Sequence, residues 1–312
     1  MNIAIGHYTD TKNQTGCTVF IFRRPARIGI DIRGSNTVTF NTPAFDSKAV
    51  EDAVHAIVLS GGSAYGIESV FGVMQFLEEN RIAYKTRGGL VPSVTGAVIY
   101  DLPEGRSDIR PDKQAGYIAA SNAASNNYAT GNIGVGTGAM TGKWLLGHKR
   151  KGGFGIGSVD FPGDIEATAY VVTNSVGDVI VNPSELAQKQ QQFQNLTLYP
   201  KRLLGTLDLD RLDQSKHSEK HENTTLAVIA TNADLTKHEL QKVAELAHDG
   251  MARSIYPVHT NMDGDVVFAV SVTPRKKIKG LNKVSLVDFV GIAAADALSL
   301  AITNSVSNNQ DS

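Results

Sequence analysis

The chain has 312 residues, 30 Lys and Arg against 31 Asp and Glu, a formal net charge of −1 and a pI of about 6.7. That length allows one large domain or two ordinary ones, and the charge balance offers no footprint for nucleic acid or for a membrane surface. A single cysteine, Cys17, excludes an intramolecular disulfide and a cysteine-cluster metal site, and it points to a reducing cytoplasm.

The start, Met1-Asn2-Ile3-Ala4-Ile5-Gly6-His7, lacks a basic and then apolar leader pattern, so no secretory signal is expected. No apolar run approaches the roughly 18 residues needed to span a bilayer. Cys17 to Phe22 and Ala26 to Ile32 read as two strands joined by a basic turn, Arg23-Arg24-Pro25, and a loop follows to about Phe45. His55 to Leu59 is a buried strand running into Ser60-Gly61-Gly62-Ser63-Ala64-Tyr65-Gly66. The helix after it carries Ile67, Val70, Phe71, Met74 and Leu77 on one stripe. Strand, glycine turn and helix in that order can form a nest of backbone donors facing a ligand. The turn is not a nucleophile elbow, because Tyr65 stands where the last glycine of G-x-S-x-G should be.

Val94 to Leu102 suggests a strand and Asp112 to Asn126 an alanine-rich helix. The glycine-rich stretch Gly131 to Lys143 fails as a phosphate loop: Thr137 occupies the position of the first glycine, and Trp144 follows the lysine in place of Ser or Thr. Gly152 to Phe161 and Ala167 to Asn174 are successive strands, and Asn174-Ser175-Val176-Gly177-Asp178 is turn chemistry. Residues 188–222 are polar and without period, a mobile linker with one helical segment at Glu185 to Phe193 across its start. His217 and His221 stand four apart within it but do not form H-E-x-x-H, so no metal is expected.

At Thr224 the composition switches to Thr-Thr-Leu-Ala-Val-Ile-Ala-Thr, a run suited to a strand buried on both faces. A hydroxyl thus sits at the boundary between linker and core. Cut before Thr224, the chain would present a hydroxyl nucleophile beside a free α-amine, whose pKa of about 8 lets it act as a base. Thr236 to Glu239 is a capping box for a helix with Leu240, Val243, Ala244 and Ala247 inward. Met262-Asp263-Gly264-Asp265 is a tight acidic turn before a strand from Val266 to Val272, and a last helix covers roughly Lys283 to Asn304. Alternating strands and helices argue for an α/β or layered α+β domain.

Taken together, Thr15-Gly-Cys-Thr18, His55 to Gly66, Val91 to Tyr100, Gly134 to Gly138, Lys151 to Gly153, Asn223-Thr-Thr225 and Ala247 to Arg253 resemble the L-aminopeptidase/D-Ala-esterase family. Its relatives include β-aminopeptidases and the endo-type aminohexanoate-oligomer hydrolase. The likeness covers the chain apart from residues 34 to 45 and 188 to 222. It implies an N-terminal-nucleophile fold of four αββα layers, in one hydrolase domain over residues 1–312. The family is made as a precursor that cuts itself before the nucleophile and assembles as a homo-oligomer, here a dimer or tetramer of processed heterodimers.

Carried over by position, the scissile bond is Asn223-Thr224 and the nucleophile Thr224, with Asp263, Asp265, Lys143, Asn174 and Tyr100 as the remaining active-site groups. A threonine nucleophile with this Asp-Gly-Asp spacing resembles the oligomer-hydrolase branch more than the Ser-type aminopeptidases. Tyr65 lies too far upstream of Lys143 to be the tyrosine. The resemblance implies a small peptide or oligoamide substrate and no metal or organic cofactor. An uncleaved binding protein sharing the fold, or an acyltransferase with the same nucleophile, are the competing readings.

Overall fold

Side chains along the strands of the computed structural model alternate between two apolar layers, as runs buried on both faces require. The structure describes residues 1–46, 48–144, 148–198, 223–278 and 280–307. Nine strands among these form one sheet: β1 (Ala4–Asp10), β2 (Thr15–Ile32), β3 (Thr39–Phe40), β4 (Ala53–Ser60), β5 (Val94–Val98), β6 (Gly153–Phe161), β7 (Ile165–Asn174), β8 (Thr224–Ala233) and β9 (Val266–Lys276). They pair in the order β6-β7-β8-β9-β2-β4-β5-β3, with β1 added on β2. Five helices are described: α1 (Glu68–Glu79), α2 (Lys113–Ser121), α3 (Pro183–Leu198), α4 (Lys237–Ser254) and α5 (Lys283–Ser307).

The alternation sorts residues into three cores. Leu226, Val228 and Ala230 of β8 point into the middle of the molecule with Val266 and Phe268 of β9, Phe20 and Phe22 of β2 and Phe154 of β6. Phe20 meets Tyr170 across this space at 5.2 Å between ring centroids, so the two halves of the sheet pack face to face. The intervening Ala227, Ile229, Val267 and Ala269 pack against α4 and α5. Val19 and Ile21 of β2, with Val58 of β4, face Val70, Val73 and Leu77 of α1 and Ala119 of α2. Helices, sheet, sheet, helices make the expected αββα sandwich. Each fully buried phenylalanine contributes about 1.5–3 kcal/mol to holding the layers together.

Some expectations change. The first two strands are one: β2 runs through Arg23-Arg24-Pro25, its pairing with β4 shifting register between Ile21 and Ala26. Arg23 and Arg24 are exposed there, so the basic dipeptide sits at an irregularity and not at a turn. The start of the expected linker is the last part of α3, a helix whose Gln and Glu content reads as polar but forms helix well. Lys189 of α3 is held by Asp178 at 2.9 Å; residues 199–222, the rest of that linker, lie outside the described residues.

Asp288 and Asp296 interrupt the sequence of α5, yet by length and composition it is the one described helix able to cross a membrane. In the structure 61% of its apolar window is buried. A Cβ at Gly155 or Gly157 of β6 would collide with the α5 carbonyls of Ala301 and Ala297, so glycine admits the close approach. The suspected nest at Gly61-Gly62 is filled from within: Gly62 N donates to Asp101 Oδ1 at 2.7 Å and Thr15 Oγ1 to Asp101 Oδ2 at 2.7 Å.

Candidate active site

Thr224 opens β8 between two neighbours. On one side β7 runs antiparallel, placing Asn174 opposite Thr224. On the other, β9 runs parallel from Val266, which faces Leu226, so the acidic turn 263–265 lies beside residues 223–225. Gly264 N donates to the carbonyl oxygen of Asn223 at 2.9 Å. The Thr224 hydroxyl donates to that same oxygen at 2.5 Å. Thr224 is only 6% exposed.

Both carboxylates of the turn are buried and occupied. Asp263 Oδ1 accepts from Val176 N at 3.1 Å, and its Oδ2 from Thr260 N at 3.0 Å and Thr260 Oγ1 at 2.7 Å. Burial, and then the charge of Asp265, pushes the Asp263 carboxyl up to about 6. Asp265 Oδ1 accepts the Thr225 N–H at 2.7 Å, while its Oδ2 meets His259 Nδ1 at 2.7 Å. The loop after β2 fixes the backbone of this turn: Arg33 N and Gly34 N donate to Asp265 O at 3.1 and 3.2 Å, and Asn36 N to Asp263 O at 3.1 Å.

Lys143 Nζ donates to Asn174 Oδ1 at 3.0 Å and to Asn174 O at 3.2 Å. Asn174 Nδ2 donates to the backbone carbonyl of Tyr100 at 3.1 Å. These three expected residues therefore gather around the position facing Thr224. Lys143 N also donates to Val176 O at 2.7 Å, and Val176 N serves Asp263, which ties the lysine loop to the acidic turn. Tyr65 stands apart, 60% exposed, with the Arg110 guanidinium 3.7 Å from its ring centroid. His217 and His221 lie outside the described residues, among which no cluster of three or more His, Cys, Asp or Glu could hold a metal.

Sequence reasoning missed His259, Thr260, Val176 and Gly264. Val176 and Gly264 act through main-chain N–H groups, which every residue but proline carries, so the donors themselves leave no mark in the sequence. His259 and Thr260, just before the acidic turn, could have been suspected as neighbours of its carboxylates.

The profile of peptidase family S58 matches residues 1–312. An uncharacterized aminopeptidase of Mycobacterium leprae is 34% identical over 322 residues, covering 96% of this chain and 86% of that protein. A 6-aminohexanoate-oligomer endohydrolase of Agromyces sp. is 31% identical over 274 residues, or 87% of this chain and 72% of that protein. Among solved structures, the L-aminopeptidase D-Ala-esterase/amidase of Ochrobactrum anthropi, described as a variant of the Ntn hydrolase fold, shares this fold with a TM-score of 0.69 at 20% identity, over 98% of this chain and 84% of its own.

Proposed function

We propose, from the premise that this chain belongs to peptidase family S58, that Thr224 is the N-terminal nucleophile by which it first cuts itself and then its substrate. The chain is a hydrolase acting on amide bonds. The observation that carries the proposal is the Thr224 hydroxyl 2.5 Å from the Asn223 carbonyl oxygen, with that oxygen also receiving the Gly264 N–H. This arrangement supports attack of Oγ1 on the Asn223 carbonyl carbon, with negative charge collecting on an oxygen that already has a donor.

In the self-cleavage step, a C–O bond forms between Thr224 Oγ1 and the Asn223 carbonyl carbon, the C–N bond to Thr224 breaks, and the hydroxyl proton passes to the released amine. Water then opens the ester, leaving an Asn223 carboxylate and a free Thr224 amine. In the mature enzyme that amine takes the hydroxyl proton while Oγ1 attacks a substrate amide. The proton goes on to the leaving amine, and water hydrolyses the acyl-enzyme.

Asp265, through the Thr225 N–H, and Asp263, through Val176 and Thr260, fix the backbone beside Thr224 and so place its head group. The resemblance gives Asn174 and Tyr100 the task of polarising the amide oxygen or steadying the tetrahedral intermediate, and Lys143, seated on Asn174, that of stabilising developing negative charge or lowering the pKa of the amine. No metal or organic cofactor enters. The names of the relatives favour linear amides, as peptides or oligoamides. We place the enzyme in the cytoplasm, without nucleic-acid or membrane partners, as one hydrolase domain whose two fragments stay together in a homo-oligomer.

Intact mass under denaturing conditions tests this. Wild type should separate into residues 1–223 and 224–312, and Thr224→Ala should stay whole. A wild type that remains one chain without amidase activity would favour an uncut binding protein.

A further inference from the structure

One titratable side chain outside the assigned set reaches the nucleophile strand. His259 precedes the acidic turn and sits at φ 56°, in the left-handed region that few residues other than Gly adopt, Asn, Asp and His more readily than the rest. That backbone brings Nδ1 to 2.7 Å from Asp265 Oδ2, to which His259 N also donates at 3.3 Å. The other oxygen of Asp265 holds the N–H of Thr225, the residue directly after the nucleophile. A three-member line therefore runs from imidazole through carboxylate to the backbone of β8. The far ring nitrogen, Nε2, is buried with no hydrogen-bond partner among the described residues. A packing histidine gains nothing from an unsatisfied buried nitrogen.

We infer that His259 is a positioning residue of this active site: its Nδ1–H orients Asp265, whose other oxygen holds the N–H of Thr225 directly after the nucleophile. The inference rests on Thr224 being the nucleophile.

The groups facing His259 leave this role to it. In its own loop stand Asp263 and Asp265. From α4 comes His248, its ring edge-on at 4.8 Å; burial and then the charge of His259 push it down to about 3, so it stays neutral. Behind His248 stands Asp31 of β2, whose carbonyl oxygen lies 3.3 Å from His248 Nε2.

Asparagine at 259 separates orientation from packing. Its amide nitrogen stands near the place of Nδ1, and it accepts the left-handed backbone. Full-length wild type, His259→Asn and His259→Ala should be compared for cutting at 223–224 and for hydrolysis of an aminoacyl p-nitroanilide from pH 5 to 9. His259→Asn should cut and stay within about threefold of wild type. His259→Ala should lose at least about tenfold at every pH, since it also frees Asp265.

A His259→Asn as slow as His259→Ala, or wild-type rates in His259→Ala, would overturn the inference. Should either variant misfold, ring ¹⁵N shifts of the wild type decide: a neutral ring protonated at Nδ1 is required, and one protonated at Nε2 refutes it. Failure of the Thr224 reading would show separately, as a wild type that never cuts, whatever the tautomer.

Discussion

Replacing Gly264 with alanine would place a Cβ 2.6 Å from Asn36 O and 2.8 Å from Thr224 Oγ1. Ordinary carbon–oxygen contact needs roughly 3.4 Å, so the overlaps are about 0.8 and 0.6 Å. Asn36 cannot simply retreat, because its own N–H is bonded to Asp263 O across the same turn. The turn must move instead, carrying the Gly264 N–H away from Asn223 O. A shift of about 0.6 Å takes that bond from 2.9 Å to the edge of hydrogen-bond range. Losing one oxyanion donor typically costs about 2.7–4 kcal/mol, or about 10²–10³ in rate.

The assay is a time course of the intact chain after cell-free synthesis, read by denaturing gel or mass, with thermal melting to confirm that the variant is folded. Gly264→Ala should cut at least about a hundredfold more slowly than wild type. A folded Gly264→Ala that cuts within about threefold of wild type would falsify the assignment of this N–H to the scissile carbonyl.

Asn174→Ala should keep the fold but lower kcat/KM by about 10²-fold, because it strips the amide that meets Lys143 Nζ, Met140 N and Tyr100 O; a stopped-flow or discontinuous amidase assay reads it. His7 is pushed down to about 4 by burial from an ordinary 6.5. Between those values the unfolded chain binds a proton that the folded chain does not, so His7 removes stability as pH falls from about 6.5 to 4, by ~3 kcal/mol in all. His7→Asn, which can still meet Thr18 Oγ1, should lose correspondingly less across that window in urea titrations, whatever its stability at neutral pH.

What the sequence made legible was what depends on local pattern. Short continuous apolar runs located β8 and β9, and the Thr236–Glu239 capping box starts α4 as expected. Thr224 was visible because composition changes abruptly there, and the resemblance supplied its companions. Contacts over long separations were not visible. Asp101 fills the Gly62 nest across 39 residues, and nothing near either residue announces it. The Asp263–Asp265 turn is held through main-chain atoms by Arg33 and by Gly34 and Asn36, the last two in a loop that the resemblance left out. The single long β2 was misread because Pro25 and two arginines imitate a turn; only the pairing across to β4 shows that the strand continues.

The place of β8 and β9 in the sheet bears on renaturation. They sit side by side in its middle, with β7 hydrogen-bonded on one edge and β2 on the other. A cut at Asn223-Thr224 puts these two strands on one polypeptide and both of their neighbours on another. Before the cut, closing the sheet is an intramolecular search. Afterwards it is an encounter between two molecules, each exposing unpaired strand edges that invite aggregation. The cut molecule would hold its shape through a sheet it could no longer readily rebuild, so its lifetime would be governed by how slowly it opens.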